Sequence, residues 1–164
     1  MLGIDPGLCI TGFGIAKREG NSTKLIDYGY LRLPQTRSLP ARVRMFHDFV
    51  ELKIAECSIT DIAIETPFLG KNAQNFLKLG YLRGIIYCLS DKHNLVLHEF
   101  PPSQVKLAVT GYGGASKEQV ARVILRLFPG LKAPDKQDVT DALAVTLCGI
   151  WKAPISHALG KLSQ

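Results

Sequence analysis

Four carboxylates, Asp5, Glu65, Asp138 and Asp141, stand where strands and a helix could aim them at one point. Asp5 closes the short apolar run Leu2-Gly3-Ile4-Asp5-Pro6-Gly7, and Glu65 closes Asp61-Ile62-Ala63-Ile64-Glu65. Asp138 and Asp141 lie one helical turn apart at the head of an apolar stretch, so they share a face. Gathered carboxylates repel one another unless protons or cations come between them. Their hard oxygens suit magnesium or manganese, ions that also bind phosphates. Each acid alone has a simpler reading. Asp5 could be an ordinary turn aspartate, and Asp138 with Asp141 a helix cap and a first-turn acid favoured by the helix dipole. Glu65 is harder to dismiss, because a charge following Ile62-Ala63-Ile64 faces partial burial, which is costly without a partner. The conjunction of all four points to a metal-binding centre.

That centre belongs to a basic chain. Over 164 residues the formal net charge is +6, which favours an anionic partner. The length fits one domain with a real core, expected to span residues 1–152, with a tail at 153–164. The N-terminus has neither the basic region nor the apolar run of a signal peptide, and no apolar stretch is long enough to span a bilayer. Cys9, Cys57, Cys88 and Cys148 are far apart and form no CxxC pair, and the four histidines are scattered, which argues against zinc. A soluble, cytoplasmic protein with reduced thiols is expected.

The elements that must position the acids can be read in order. Met1–Ile4, Thr11–Lys17 and Lys24–Leu33 have strand character and are joined by turn sequences, so they should form an antiparallel meander. A helix follows from about Ser38 to Glu56, with Val43, Phe46, Phe49, Val50 and Ile54 on one stripe. Ile62–Glu65 is apolar enough for a central strand. Asn72 could cap the next helix, Ala73 to about Asp91. That helix is apolar on more than one face, and its second side is expected to meet a partner subunit, with Gly80 and Gly84 allowing close approach. Leu95–Phe100 supplies a fifth strand. A short helix from Pro102 to about Val109 follows, then one opened by the capping box Ser116-Lys117-Glu118-Gln119, then a last helix from Asp138 to about Trp151. The order βββαβαβααα indicates an α/β fold, a mixed sheet flanked by helices.

These stretches resemble the RuvC family of Holliday junction resolvases, within the RNase H-like superfamily of nucleases. The resemblance is carried by Gly3-Ile4-Asp5-Pro6-Gly7, Ala63-Ile64-Glu65, Lys71-Asn72-Ala73 with Leu77-Lys78-Leu79-Gly80 and Arg83-Gly84, Pro102-Ser103-Gln104-Val105-Lys106, Lys117-Glu118-Gln119-Val120 and Asp138-Val139-Thr140-Asp141-Ala142-Leu143-Ala144. They occur in family order over nearly the whole chain.

The resemblance implies an RNase H-like fold, with an antiparallel β1-β2-β3 meander plus parallel β4 and β5. It implies a homodimer that cuts four-way DNA junctions by paired, symmetric nicks during recombination and repair. Asp5, Glu65, Asp138 and Asp141 would be the catalytic acids and ligands of Mg2+, with Mn2+ as a substitute and two ions per site. Phe68 would stack on bases at the junction, while Lys71, Lys106 and Lys117 would contact DNA phosphates. A branch-migration helicase complex is an implied partner. Arg83 could serve the dimer interface or the DNA equally well, and Tyr112 could touch DNA or pack locally. Three rivals remain: an actin-like ATPase, for which the chain is too short to supply both domains; a different RNase H-like nuclease acting on RNA or on another branched DNA; and a junction-binding protein with a vestigial metal site.

Overall fold

The structure, a computed structural model, describes residues 1–66, 73–131 and 136–153. Its elements are β1 (Leu2–Asp5), β2 (Ile10–Glu19), β3 (Ser22–Arg32), α1 (Leu39–Glu56), β4 (Asp61–Glu65), α2 (Ala73–Lys92), β5 (Val96–Phe100), α3 (Pro102–Thr110), α4 (Lys117–Leu127) and α5 (Gln137–Lys152). One sheet runs β3-β2-β1-β4-β5. β1, β2 and β3 pair antiparallel, as their short connections require. β4 lies parallel to β1 and β5 parallel to β4. This is the five-stranded mixed sheet expected of an RNase H-like domain.

The two faces of the sheet differ in side-chain size, and that difference places the site. Alternate residues of a strand face opposite ways. Leu2, Ile4, Phe13, Ile15, Ile62 and Ile64 point to one face and pack against Phe46, Val50 and Ile54 of α1 and Leu82, Ile86 and Leu89 of α2. Their neighbours Gly3, Gly12, Gly14 and Ala63 point to the other face. Nothing there holds a helix away. A Cβ on Gly3 would lie 2.1 Å from Thr146 Oγ1, and one on Gly12 would lie 1.9 Å from the Asp138 carbonyl oxygen. The glycines thus let α5 rest almost on the strand backbones. Thr146 Oγ1 fastens it by donating to the Gly14 carbonyl at 3.1 Å. Every residue of α5 from Val139 to Ile150 except Asp141 is buried, with α3 and α4 packed against the helix.

The helix starts follow their capping chemistry. Ser38 accepts from the Ala41 N–H, and Ser116 with Gln119 completes the expected capping box. The expected single stripe on α1 is present, with Phe46, Val50 and Ile54 buried and Val43 and Phe49 partly so. β2 and β3 run longer than their sequence suggests, because Gly20 at φ +59° lets the chain reverse tightly between Glu19 and Ser22. α2 buries one side only in this chain. Leu77 is 65% exposed, Tyr81 and Tyr87 are also exposed, and nothing lies within 4 Å of a Cβ placed on Gly80 or Gly84. No helix of the described residues is long and apolar enough to cross a membrane.

Candidate active site

Strand parity and the glycine face bring the four acids to one end of the sheet. Asp5 and Glu65 end adjacent strands that run the same way. Each is an odd-numbered step from the inward Ile4 and Ile64, so each points to the α5 face. Asp5 pairs in register with Gly12, the residue that lets the Asp138 backbone approach. Asp138 therefore comes down beside Asp5, and Asp141, one turn on, is the only break in the buried run of α5. Neither aspartate caps the helix. The N-cap is Lys136, which makes no side-chain capping bond, so the simpler reading of Asp138 as a cap does not hold.

The electrostatics reflect the convergence. Burial, then the charges of Asp141, Glu65 and Asp138, push the Asp5 carboxyl from 3.8 up to about 7, opposed by Lys117. Burial and the Asp141 charge likewise raise Glu65, while Lys117 and Lys106 oppose the rise. Lys117 Nζ pairs with Asp141 Oδ2 at 2.7 Å, and this bond, with further attraction to Asp5 and Glu65, raises the lysine above its ordinary value. One ammonium thus serves several carboxylates, leaving excess negative charge that a cation would relieve.

The donor set suits a hard divalent cation. All four groups offer carboxylate oxygens, and no thiol or imidazole competes among them. Among the described residues no three acidic, histidine or cysteine side chains close into a ready-made cage. Hard divalent cations take oxygen ligands and can share their shell with substrate phosphates.

Beside the acids runs a cleft of about 740 Å³ whose walls include Asp5, Gly7, Gln35, Arg42, Lys78 and Asp138. Arg42 steadies its rim by donating to the Leu8 carbonyl at 2.9 Å.

Of the residues expected to meet DNA, Lys106 and Lys117 stand beside the acids, close enough to influence Glu65. Phe68 and Lys71 lie outside the described residues, as does the Asn72 cap. Tyr112 is exposed at the turn before α4, its N–H bonded to Thr110 Oγ1. Arg83 fits neither role that its sequence left open. It is only 6% exposed, pairs with Glu99, and donates to the Glu65 carbonyl at 2.6 Å. Its one sequence signal was a charge set between the inward positions Leu82 and Ile86.

Comparison with known proteins finds relatives over nearly the whole chain. Residues 1–149 match the family described as "Crossover junction endodeoxyribonuclease RuvC". A protein of that name from Pelodictyon phaeoclathratiforme is 41% identical over 152 residues, 93% of this chain and 80% of the relative. Another from Alkaliphilus oremlandii is 39% identical over 148 residues, covering 90% of each. Among solved structures, T. thermophilus RuvC in complex with a Holliday junction substrate superposes with a TM-score of 0.83 at 26% identity, covering 90% of both chains. The Fowlpox virus resolvase, solved with its junction DNA, matches in fold with a TM-score of 0.63 at 13% identity, over 93% of this chain and 99% of the other.

Proposed function

The chain belongs to the RuvC family of crossover junction endodeoxyribonucleases, and from that premise we propose how its site resolves four-way DNA junctions. The observation that carries the reading is the gathering of Asp5, Glu65, Asp138 and Asp141 at one sheet end, beside Lys106 and Lys117. The four acids would hold two divalent ions, Mg2+ or its substitute Mn2+. When bound, such ions activate a water and stabilise the leaving oxygen of an in-line phosphodiester displacement. No protein nucleophile is required. Each carboxylate fixes a direction from a rigid strand end or helix, which keeps the scissile phosphate aligned for attack. Lys106 and Lys117 neutralise phosphates next to the cut, so affinity should fall steeply with salt. Lys117, paired with Asp141 at 2.7 Å, must leave that carboxylate to reach a phosphate.

The remaining assignments follow the family pattern. Phe68 stacks on bases opened at the junction, a contact worth about 1–3 kcal/mol and tolerant of sequence. Lys71 adds a phosphate contact. Paired symmetric nicks need two sites, and the open side of α2, with Leu77, Tyr81, Gly80 and Gly84, is the face on which a second copy would dock. A branch-migration helicase complex would present mobile junctions to this dimer, in the cytoplasm where the DNA lies.

The test is incubation of the protein with an end-labelled four-way junction having a mobile core, beside linear duplex, in magnesium and in EDTA. Symmetric nicks confined to the junction and lost in EDTA are expected. Tight junction binding with no nicks, in magnesium or manganese, would make the chain a binding module instead.

A further inference from the structure

We propose that Arg83 is a positioning residue for the reaction: it holds the backbone of Glu65, and so the aim of that carboxylate, by supplying a donor that Pro6 withholds from the end of the sheet. This rests on the reading of Glu65 as a catalytic acid.

The ladder shows why a donor is missing. Thr60 accepts from the Val96 N–H, and the Thr66 N–H donates to Phe100 at 2.8 Å, so the even-numbered residues of β4 bond toward β5. In a parallel ladder, alternate residues bond to alternate neighbours. Glu65 therefore turns its own backbone groups toward β1. With Leu2 opposite Ile62 and Ile4 opposite Ile64, the donor due at the Glu65 carbonyl is the N–H of residue 6. Residue 6 is proline and has none. A carbonyl left without a donor at a partly buried strand end is costly and lets the last peptide turn.

Arg83 fills the gap from α2. Its Nη1 donates to the Glu65 carbonyl at 2.6 Å. Its Nη2 pairs with Glu99 and bonds Tyr87 Oη at 3.2 Å, and that hydroxyl donates to Glu99 at 2.9 Å. Glu99 is level with Ile64 across β4 and β5, so the anchor stands on the same sheet face as Arg83. A guanidinium can make both contacts at once because its donors form a rigid fork. Desolvating it is expensive, and an aliphatic side chain between the buried Leu82 and Ile86 would avoid that cost. Stability alone therefore does not account for an arginine here. The bond it makes to Glu65 does. Outer partners that orient a ligating group typically carry a 10- to 100-fold effect on metal affinity.

The test uses the full chain with Arg83→Lys and Arg83→Gln, and Ile86→Val as a packing control in the same helix. Manganese binding is measured by titration calorimetry, junction affinity in EDTA, and cleavage as a function of metal concentration. Both Arg83 variants should weaken manganese binding, and raise the concentration for half-maximal cleavage, by about tenfold or more. Junction affinity without metal should stay within about twofold, and Ile86→Val should lower the melting temperature without moving the metal dependence. If Arg83→Gln does not fold, Arg83→Lys decides, since it keeps the charge opposite Glu99 but loses the fork. Wild-type metal dependence in the folded variants would overturn the proposal. Glu65→Gln, run alongside, separates the two readings. If it cuts normally, Glu65 is not catalytic. If it is inactive while the Arg83 variants behave as wild type, only the brace is wrong.

Discussion

Replacing Asp5 by asparagine should make the metal-free protein more stable at alkaline pH, with the gain disappearing in acid. The folded carboxyl holds its proton up to about pH 7, whereas its ordinary value is 3.8. Between those values the folded state keeps a proton that the unfolded chain has released, so stability falls as pH rises and levels off above pH 7. At about 1.4 kcal/mol per pH unit, the interval has a ceiling of roughly 4 kcal/mol, since burial and the neighbouring charges act together. The amide in Asp5→Asn keeps the shape and carries no charge. Any hydrogen bond it loses costs the same at every pH, so the informative quantity is how its advantage over wild type changes. That advantage should shrink by about 3 kcal/mol on going from pH 7.5 to pH 5. Urea unfolding in EDTA, followed by circular dichroism at constant ionic strength, measures it. Magnesium at pH 8 should then stabilise wild type more than Asp5→Asn. Parallel stability profiles for the two proteins across this range would refute the burial of Asp5 among neighbouring charges that raises its carboxyl.

Other substitutions probe the surroundings. Gly12→Ala puts a Cβ 1.9 Å from the Asp138 carbonyl oxygen; it should cost about 1–3 kcal/mol in denaturant unfolding and slow cleavage more than binding, as α5 and Asp138 shift. Lys117→Met should lower the slope of log affinity against log salt by about 1 for junction binding in magnesium. It should change stability by less than about 1 kcal/mol, because the Lys117 side chain is 63% exposed despite its pairing with Asp141. Leu77→Glu with Tyr81→Glu should halve the mass seen in sedimentation at micromolar concentration; a wild type that already sediments as a monomer would remove α2 as the docking face.

The order of elements was legible because each carries a local signal: alternating strands between turn residues, a single stripe on α1, and the Ser116 capping box. Asp5 and Glu65 were legible for a related reason. A charge that ends an apolar strand has few places to go except a shared edge. The contrast between the two sheet faces was hidden, since Gly3, Gly12 and Gly14 look like weak strand residues until α5 is seen resting on them. Arg83 was hidden more deeply. Its purpose depends on a proline far away in the chain and on which side of β4 each carbonyl faces, and no window of sequence contains both. The pairing of Lys117 with Asp141 likewise arises only when α4 and α5 meet. For α2, composition announced two apolar sides, and in this chain the second stands open.

The most direct test of the central claim is parallel cleavage and binding by wild type, Asp5→Asn, Glu65→Gln, Asp138→Asn and Asp141→Asn on one mobile four-way junction in magnesium. Wild type is expected to nick it symmetrically, and each amide variant to bind the junction with near wild-type affinity while leaving it uncut. Normal nicking by any one of the four variants would contradict a metal site built from these carboxylates.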